Sequence, residues 1–238
     1  MISINRIGKR FKIPIIEDAC EAIGAKVVKK YVGGLSEFGV FSFDFGKMIT
    51  TGEGGALFSK KKNDGKIARM YHDHGHKNIP DLPRGLDRAG LIGFNYRMTE
   101  ISGAFGKVQL GKFSGILKES KKRYLTLERY IRHNQIKLRH VNLGNEPNYD
   151  TFVISIENKK LRNRVISLLN ETGFGTKNLP DAFNWHCAYF WEHINKKMRN
   201  KEVTNCYNRL LKCVAIPILV SRPIIDYKNI ASYINECS

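Results

Sequence analysis

Two short apolar runs joined by a glycine-rich loop constrain the fold most strongly. FGVFSF (38–43) and GALFS (55–59) have the length and composition of strands. The eleven residues between them, DFGKMITTGEG, make a long connection for a hairpin, and such loops are often functional. Their glycines allow the backbone to come close to a bound group. We therefore expect a functional loop that carries Lys47, the one lysine in it.

An apolar run that ends on two carboxylates precedes this block. IPIIEDA (13–19) has branched residues after Pro14, which favours a strand buried on both faces, as in a parallel sheet. In open α/β sheets, ligand-facing groups lie just beyond the carboxyl ends of the strands, where Glu17 and Asp18 fall. Residues 2–12 before this strand have the pattern of a short basic helix.

The remainder of the chain predicts a long helical region and a small α+β unit. Thr99 and Glu100 indicate a helix start, and Gly111 and Gly115 are expected to interrupt that helix. Further on we expect a half-buried strand at TFVISIE, a helix at KLRNRVISLLNETG that ends at Gly173, a strand at VAIPILV, and a last helix with Pro223 in its first turn. These patterns divide the chain into residues 1–110, part of a larger domain, and residues 111–238, a linking helix and a small C-terminal domain, with the boundary between 110 and 135.

Charge and composition exclude several classes of protein. The net charge of +18 is spread over the whole length without a basic tail, which argues against nucleic acid as the main partner. No membrane span or signal peptide is apparent, so a soluble cytoplasmic protein is expected. The five cysteines form no CxxC pair and are expected to be reduced thiols. The histidines of HDHGH (72–76) lack further ligands at zinc spacing, so no metal site is predicted.

Three side chains together match the needs of a pyridoxal-phosphate (PLP) enzyme. Such an enzyme requires a lysine amine, a carboxylate that keeps the pyridine nitrogen protonated, and donors for the phosphate. Lys47, Asp18 and Ser42 offer these groups. Partial desolvation in the loop is expected to lower the pKa of Lys47 and make it a better nucleophile. Taken singly, each of these residues is as readily a surface or structural group.

Three ordered blocks resemble the DegT/DnrJ/EryC1/StrS family of sugar aminotransferases. They are EDACEAIGA (17–25), FGVFSFDFGKMITTGEGGALFS (38–59) and GFNYRMTEISGAFGKVQL (93–110). The resemblance implies part of an α/β fold-type-I PLP transferase, the remainder of a large mixed-sheet domain followed by a small α+β domain. It also implies a homodimer with shared active sites.

The resemblance implies a role for each matching residue. Lys47 would be the Schiff-base lysine, Asp18 the partner of the pyridine nitrogen and Ser42 a phosphate ligand. Glu21 falls where many members carry Gln or His beside the ring hydroxyl. Asn95 matches an asparagine that reaches the phosphate of the other subunit, although a turn residue is an alternative interpretation.

The implied reaction is transamination of a keto sugar, with glutamate as the expected amino donor, in cell-surface polysaccharide synthesis. Lys47 would be both covalent anchor and proton-shuttling base. HDHGHKNIPDLPRG and GTKNLPDAFNWHCAYFWEH (175–193) also resemble members that aminate an eight-carbon acid sugar to 8-amino-3,8-dideoxy-manno-octulosonate. The sugar is therefore nucleotide-linked or an eight-carbon acid. Candidate substrate contacts are Arg84, Lys177 and His186, whereas Trp185, Tyr189 and Phe190 are explained equally by a helical core.

The front of the chain departs from the family pattern. Members carry a long segment before the EDA strand, and here only sixteen residues precede it. We therefore expect a truncated enzyme with exposed sheet edges, poor stability alone and little or no transaminase activity. A separately encoded N-terminal half is one partner to consider. The alternative is an inactive fragment or a non-catalytic interaction module of the same fold.

Overall fold

The computed structural model describes residues 1–88, 90–191, 193 and 201–237, and it separates into two compact units. Unit 1 comprises Met1–Gly115 together with Asn142–Asn148, and unit 2 comprises Ile116–Val141 together with the chain from Tyr149 onward. The first division therefore falls five residues beyond the expected end of the first domain at residue 110, and a short later segment joins unit 1.

Unit 1 is built from short strands flanked by helices. In chain order it contains α1 (Ile2–Phe11), β1 (Ile16–Asp18), β2 (Lys26–Val27), β3 (Lys30–Tyr31), β4 (Phe38–Ser42), β5 (Gly55–Ser59), α2 (Lys62–His72), a 3-10 turn at Arg84–Leu86 and the beginning of α3 (Glu100–Tyr130). The helix expected over residues 2–12 and the two strands expected around the glycine-rich loop are confirmed.

The main sheet of unit 1 has the strand order β1-β4-β5. β1 runs parallel to β4, with Asp18 opposite Val40, and β5 runs antiparallel to β4, with Gly55 opposite Ser42. Because β1 and β4 are parallel, their carboxyl ends meet at one edge of the sheet. The residues after Asp18 and after Ser42 are thereby brought to the same edge.

The expectation that β1 is buried on both faces is wrong. β1 lies at the edge of the described sheet, and Ile16 is 65% exposed whereas Glu17 is buried. The Glu17 carboxylate accepts hydrogen bonds from the backbone N–H groups of Gly33 at 2.8 Å and Ser36 at 2.5 Å. A buried carboxylate needs such donors, so its burial is explained by the loop that folds over it. Gly33 has φ 81° and packs against the ring of Phe41, where a Cβ would clash.

The helix α3 is continuous over 31 residues, so the expected interruption at Gly111 and Gly115 is wrong. Its start is as expected, since the Thr99 hydroxyl oxygen accepts from the N–H of Ser102 at 3.1 Å. A glycine costs a helix only about 1 kcal/mol relative to alanine. Two such costs do not break a helix of this length when its other residues favour the helical conformation.

Unit 2 is the predicted α+β unit. Its antiparallel sheet has the order β6 (Ile136–Leu138), β7 (Thr151–Ile156), β8 (Cys213–Pro217), and its helices are the end of α3, α4 (Lys159–Glu171), α5 (Phe183–His186), α6 (Lys201–Leu210) and α7 (Ile224–Glu236), with a 3-10 turn at Ala188–Phe190. β7 alternates between half-buried and buried residues, as its sequence predicts. Asn158 caps α4 through Oδ1, which accepts from Lys160 N at 2.9 Å. Pro223 immediately precedes α7 instead of lying in its first turn.

One buried cluster holds unit 2 together. Leu127 of α3, Ile154 of β7, Val165 of α4 and Tyr227 of α7 are all fully buried in it. Helical faces from three segments therefore pack on the sheet of unit 2.

The aromatic residues from Trp185 to Phe190 do not all pack in a helical core. Trp185 is 79% exposed, so the core interpretation of this residue is wrong. Tyr189 and Phe190 instead contact the ring of Tyr207, with centroid separations of 4.4 and 5.5 Å.

Within the part of the chain that the structure describes, no helix is long and apolar enough to cross a membrane.

Candidate active site

The candidate site lies at the edge of the unit 1 sheet where β1 and β4 end. Asp18 closes β1, and Ala19 continues the pairing through a hydrogen bond from its N–H to Val40 O at 2.9 Å. The loop that follows β4 is closed by a bond from Thr51 N to Phe43 O at 2.9 Å. Lys47 sits inside this closed loop, where its N–H donates to Asp44 O at 3.0 Å. The sheet therefore carries Asp18 and Lys47 to one place from positions 29 residues apart.

The amine of Lys47 contacts the carboxylate of Glu21. The ion pair joins Lys47 Nζ to Glu21 Oε1, and the lysine side chain is 15% exposed whereas that of Glu21 is 53% exposed. Burial by itself lowers the pKa of Lys47, but the hydrogen bond and charge of Glu21, with Asp44 and Cys20, raise that pKa above its usual value. Desolvation thus acts in the expected direction, but the expected net lowering of the Lys47 pKa is wrong. The cause of the net rise is mainly the carboxylate of Glu21, 26 residues away in the sequence.

Asp18 is held as a carboxylate beside this ion pair. Its Oδ1 accepts from the backbone N–H of Cys20 at 3.1 Å. Hydrogen bonds from the side chain and backbone of Cys20 lower the pKa of Asp18, burial opposes them, and the charge of Lys47 lowers it further. Burial and the neighbouring Asp18 raise the pKa of the Cys20 thiol to about 11, so the thiol is neutral at pH 7. A carboxylate that stays charged suits a cationic partner.

Ser42 and Asn95 lie in two different segments of unit 1. Ser42 ends β4, and its Oγ accepts from Asp44 N at 3.3 Å, a geometry compatible with donation of its own O–H to an anion. Asn95 is exposed and forms a β-bridge with Asp73. Its Oδ1 accepts from Arg97 N at 3.4 Å. The structure thus places Ser42 on the strand that leads to the Lys47 loop and Asn95 in the segment that pairs with the end of α2.

The three candidate substrate contacts have different partners. In unit 1, Arg84 donates to both carboxylate oxygens of the buried Asp73, at 3.2 and 2.5 Å, and Arg97 donates to the same carboxylate at 2.6 Å. In unit 2, Lys177 Nζ lies 2.6 Å from Asp150 Oδ2, and His186 is exposed at the end of α5. Arg84 and Lys177 therefore have carboxylate partners within the chain.

Two contacts at the site were not predicted. Alternate residues of a strand point to opposite faces, so Glu17 and Asp18 cannot serve the same side, and this periodicity was a usable signal for the buried Glu17. Asn148 is buried, and its Nδ2 donates to the backbone oxygen of Glu21 at 2.9 Å. Because the two residues are 127 positions apart in the sequence, no local pattern predicts this contact.

The residues at this edge fit PLP. The site brings together an amine, a carboxylate with a lowered pKa and a hydroxyl, which are the group types that hold an aldehyde, a pyridine nitrogen and a phosphate. A cavity of about 260 Å³ on another part of the same loop is lined mainly by apolar groups, including Phe43, Ile49, Met98 and Leu110. Thr50, Thr51 and Lys107 also line it, and it contains none of the predicted site residues.

This chain is similar to known members of one protein family. The model of the DegT/DnrJ/EryC1/StrS aminotransferase family matches residues 1–227. The lipopolysaccharide biosynthesis protein RfbH of Salmonella typhimurium is 26% identical over 200 residues, which are 74% of this chain and 46% of RfbH. GDP-perosamine synthase of Caulobacter vibrioides is 38% identical over 110 residues, 46% of this chain and 28% of that enzyme. The chain thus spans less than half the length of these two relatives.

A solved structure shares the fold. The aminotransferase from Psychrobacter cryohalolentis superposes with a TM-score of 0.81 at 19% identity, and the match covers 99% of this chain and 64% of that one. At this identity the likeness supports the fold, and the α/β architecture expected of a partial fold-type-I PLP transferase is confirmed.

Proposed function

The chain belongs to the DegT/DnrJ/EryC1/StrS aminotransferase family, and from this we propose that Lys47 is the PLP attachment residue of a sugar aminotransferase site. The family consists of PLP-dependent enzymes. The observation that carries the proposal is the position of Lys47, whose largely buried amine lies in a closed loop at the same sheet edge as the Asp18 carboxylate. A solvated surface lysine would have neither that burial nor those neighbours.

Each residue at the edge has a distinct task in this proposal. Bound PLP supplies an electron sink for the substrate carbon. Lys47 Nζ holds the cofactor and later carries a proton to and from that carbon. Asp18 keeps the proton on the ring nitrogen, and the hydroxyl of Ser42 donates to the phosphate. Asn95 of a second copy would donate to the same phosphate, which makes the functional unit a homodimer.

We propose a keto sugar as amino acceptor and glutamate as amino donor. Support comes from the relatives, one named for lipopolysaccharide biosynthesis and one for the synthesis of GDP-perosamine, a nucleotide-linked amino sugar. The sugar is nucleotide-linked or an eight-carbon acid. Either kind is anionic and suits a chain of net charge +18. Arg84 in unit 1 and, separately, Lys177 and His186 in unit 2 remain candidate contacts for an anionic group of the substrate.

The second candidate is a non-catalytic module of the same fold. The ion pair of Lys47 with Glu21 favours it, because the amine already has a partner. A spectroscopic titration separates the two candidates. The purified chain is titrated with PLP, and the visible band of lysine-bound PLP is followed before and after reduction with borohydride. The proposal expects a saturable band in the native chain and in the Lys60→Ala control, and none in Lys47→Ala. Equal bands in all three proteins would contradict it.

A further inference from the structure

The Lys47 amine is surrounded by acidic groups from two segments of unit 1. From the end of β1 come Glu21, in direct contact, and Asp18, whose charge acts on Lys47. From the loop itself comes Asp44, and the thiol of Cys20 lies in the same group. The local charge therefore favours the protonated amine.

Glu21 is fixed at the backbone rather than free to swing with a mobile loop. Its carbonyl oxygen accepts from Nδ2 of the buried Asn148 at 2.9 Å. The turns that follow β1 around it are closed by hydrogen bonds from Ala22 N to Ala19 O and from Ala25 N to Ala22 O, both at 3.0 Å. The carboxylate thus starts from an anchored main chain, so its approach to Lys47 is built into the fold.

We propose that Glu21 keeps the Lys47 side chain as an ammonium ion in the cofactor-free chain, so that covalent capture of an aldehyde at Nζ requires this ion pair to open. The proposal rests on the proposed function and adds control of cofactor loading to it. Glu21 is a positioning residue here, since it acts through the amine of Lys47.

The chemistry of capture explains why the ion pair matters. A lysine amine and an aldehyde condense through attack of the nitrogen lone pair on the carbonyl carbon, which forms a C=N bond and releases one water. An ammonium ion has no lone pair, so it must first lose a proton to the solvent or to a base. A carboxylate in contact with the ammonium stabilises it against that loss.

The burial of the two partners decides how large the effect can be. Lys47 is mostly buried, which alone makes its charge less stable, whereas half of the Glu21 side chain is exposed and its charge is partly screened by solvent. The hydrogen bond and charge of Glu21, together with the charge of Asp44, outweigh the burial, and the net direction is a raised pKa for Lys47. Removal of the Glu21 charge takes away the largest influences that raise this pKa, so the pKa of Lys47 should fall.

The test measures the reactivity of Lys47 without the cofactor. The chain is treated with formaldehyde and cyanoborohydride over a pH series, and methylation of Lys47 is quantified by peptide mass spectrometry. Glu21→Gln is expected to move the midpoint of the Lys47 profile to lower pH. At a fixed pH below the midpoint, its methylation should become about tenfold faster for each pH unit by which the midpoint falls. The matched control Glu53→Gln removes a carboxylate from the same loop and should leave the profile unchanged.

Two further comparisons keep the test decisive. Glu21→Asp retains the charge and should keep a midpoint above that of Glu21→Gln, which guards against a general loss of structure. Identical midpoints in the native chain and in Glu21→Gln, or equal displacements in Glu21→Gln and Glu53→Gln, would overturn the proposal. Formaldehyde needs no cofactor site, so a displaced profile together with absent PLP binding would refute the proposed function alone. Specific binding of PLP at Lys47 together with an unchanged methylation midpoint in Glu21→Gln would refute the proposed role of the ion pair alone.

Discussion

Asn148 donates a hydrogen bond from Nδ2 to the backbone oxygen of Glu21 at 2.9 Å. The contact ties the segment Asn142–Asn148, which belongs to unit 1 although it follows α3 in the chain, to the residues beside Lys47. The position of Glu21 thus depends on a residue far away in the sequence.

Asn148→Ala should therefore weaken both the fold and the ion pair. Loss of the hydrogen bond at this buried position is expected to lower the free energy of unfolding by about 1 kcal/mol. The midpoint of Lys47 methylation should move in the same direction as in Glu21→Gln but by less. Urea denaturation and peptide mass spectrometry measure the two effects. Asn145→Ala, which removes a different bond of the same segment, to Val28 N, should leave the Lys47 midpoint in place.

Asp18→Asn should weaken the binding of PLP without removing covalent capture. A charged hydrogen bond of the kind proposed for the pyridine nitrogen contributes about 1.5–3 kcal/mol, so the dissociation constant for PLP should rise by about tenfold or more. A spectroscopic titration gives the constant. Asp181→Asn, at an exposed position of unit 2, serves as the control. Equal affinity in Asp18→Asn and the native chain would remove Asp18 from the cofactor site.

Asp73→Asn should loosen the segment between α2 and α3. The Asp73 carboxylate accepts from Arg84, Arg97 and Asn78, and an asparagine in its place leaves the two guanidinium groups with one neutral acceptor oxygen instead of two charged ones. Limited trypsin digestion should then cleave faster after Arg84, Arg88 and Arg97. The exposed Asp81→Asn is the matched control and should digest at the native rate.

The same cluster predicts how the segment responds to acid. The hydrogen bond with Arg84 is the main cause that holds the pKa of Asp73 well below its usual value. A lowered carboxyl pKa stabilises the fold above the unfolded pKa of about 3.9, and this stability is lost as the pH falls toward the folded value. Protection of residues 78–88 and 90–97 from hydrogen exchange should therefore decline below about pH 4 in the native chain. Asp73→Asn should show weak protection that does not change across this range.

Leu127→Ala tests the core of unit 2. Leu127 is fully buried in the cluster of α3, α4, α7 and the sheet, and a cavity of this kind costs about 2–5 kcal/mol. Leu125, two residues earlier on the same helix, is 42% exposed, so Leu125→Ala should cost much less. Urea unfolding of both variants measures the difference. Equal destabilisation would mean that the two faces of α3 are assigned incorrectly.

The sequence was sufficient for the elements that carry a local pattern. The runs around Lys47, the alternation in TFVISIE and the helix within KLRNRVISLLNETG all form as predicted, because each is set by residues within one element. The continuity of α3 was missed, since two glycines weaken a helix locally while the other residues of the helix decide its length.

Only part of the candidate site could be predicted from the sequence. Asp18 was predicted at the end of one strand and Lys47 in the loop after another, and the parallel pairing of β1 with β4 brings those strand ends together. The net change in the pKa of Lys47 was predicted in the wrong direction, because Glu21 and Lys47 come into contact only in the folded chain. The exposure of Trp185 was missed for a related reason. An aromatic residue in a short helix is buried only if another segment packs over it.

The position of captured PLP tests the role of Lys47 most directly. The chain is loaded with PLP near pH 7, reduced with borohydride, digested and mapped by mass spectrometry, so that every modified lysine is identified. We predict that the adduct concentrates on the peptide containing Lys47 and disappears from it in Lys47→Arg, while a minor background on other lysines stays unchanged. An adduct spread evenly over the surface lysines, with Lys47 no more modified than Lys60, would contradict the assignment of Lys47 as the attachment residue.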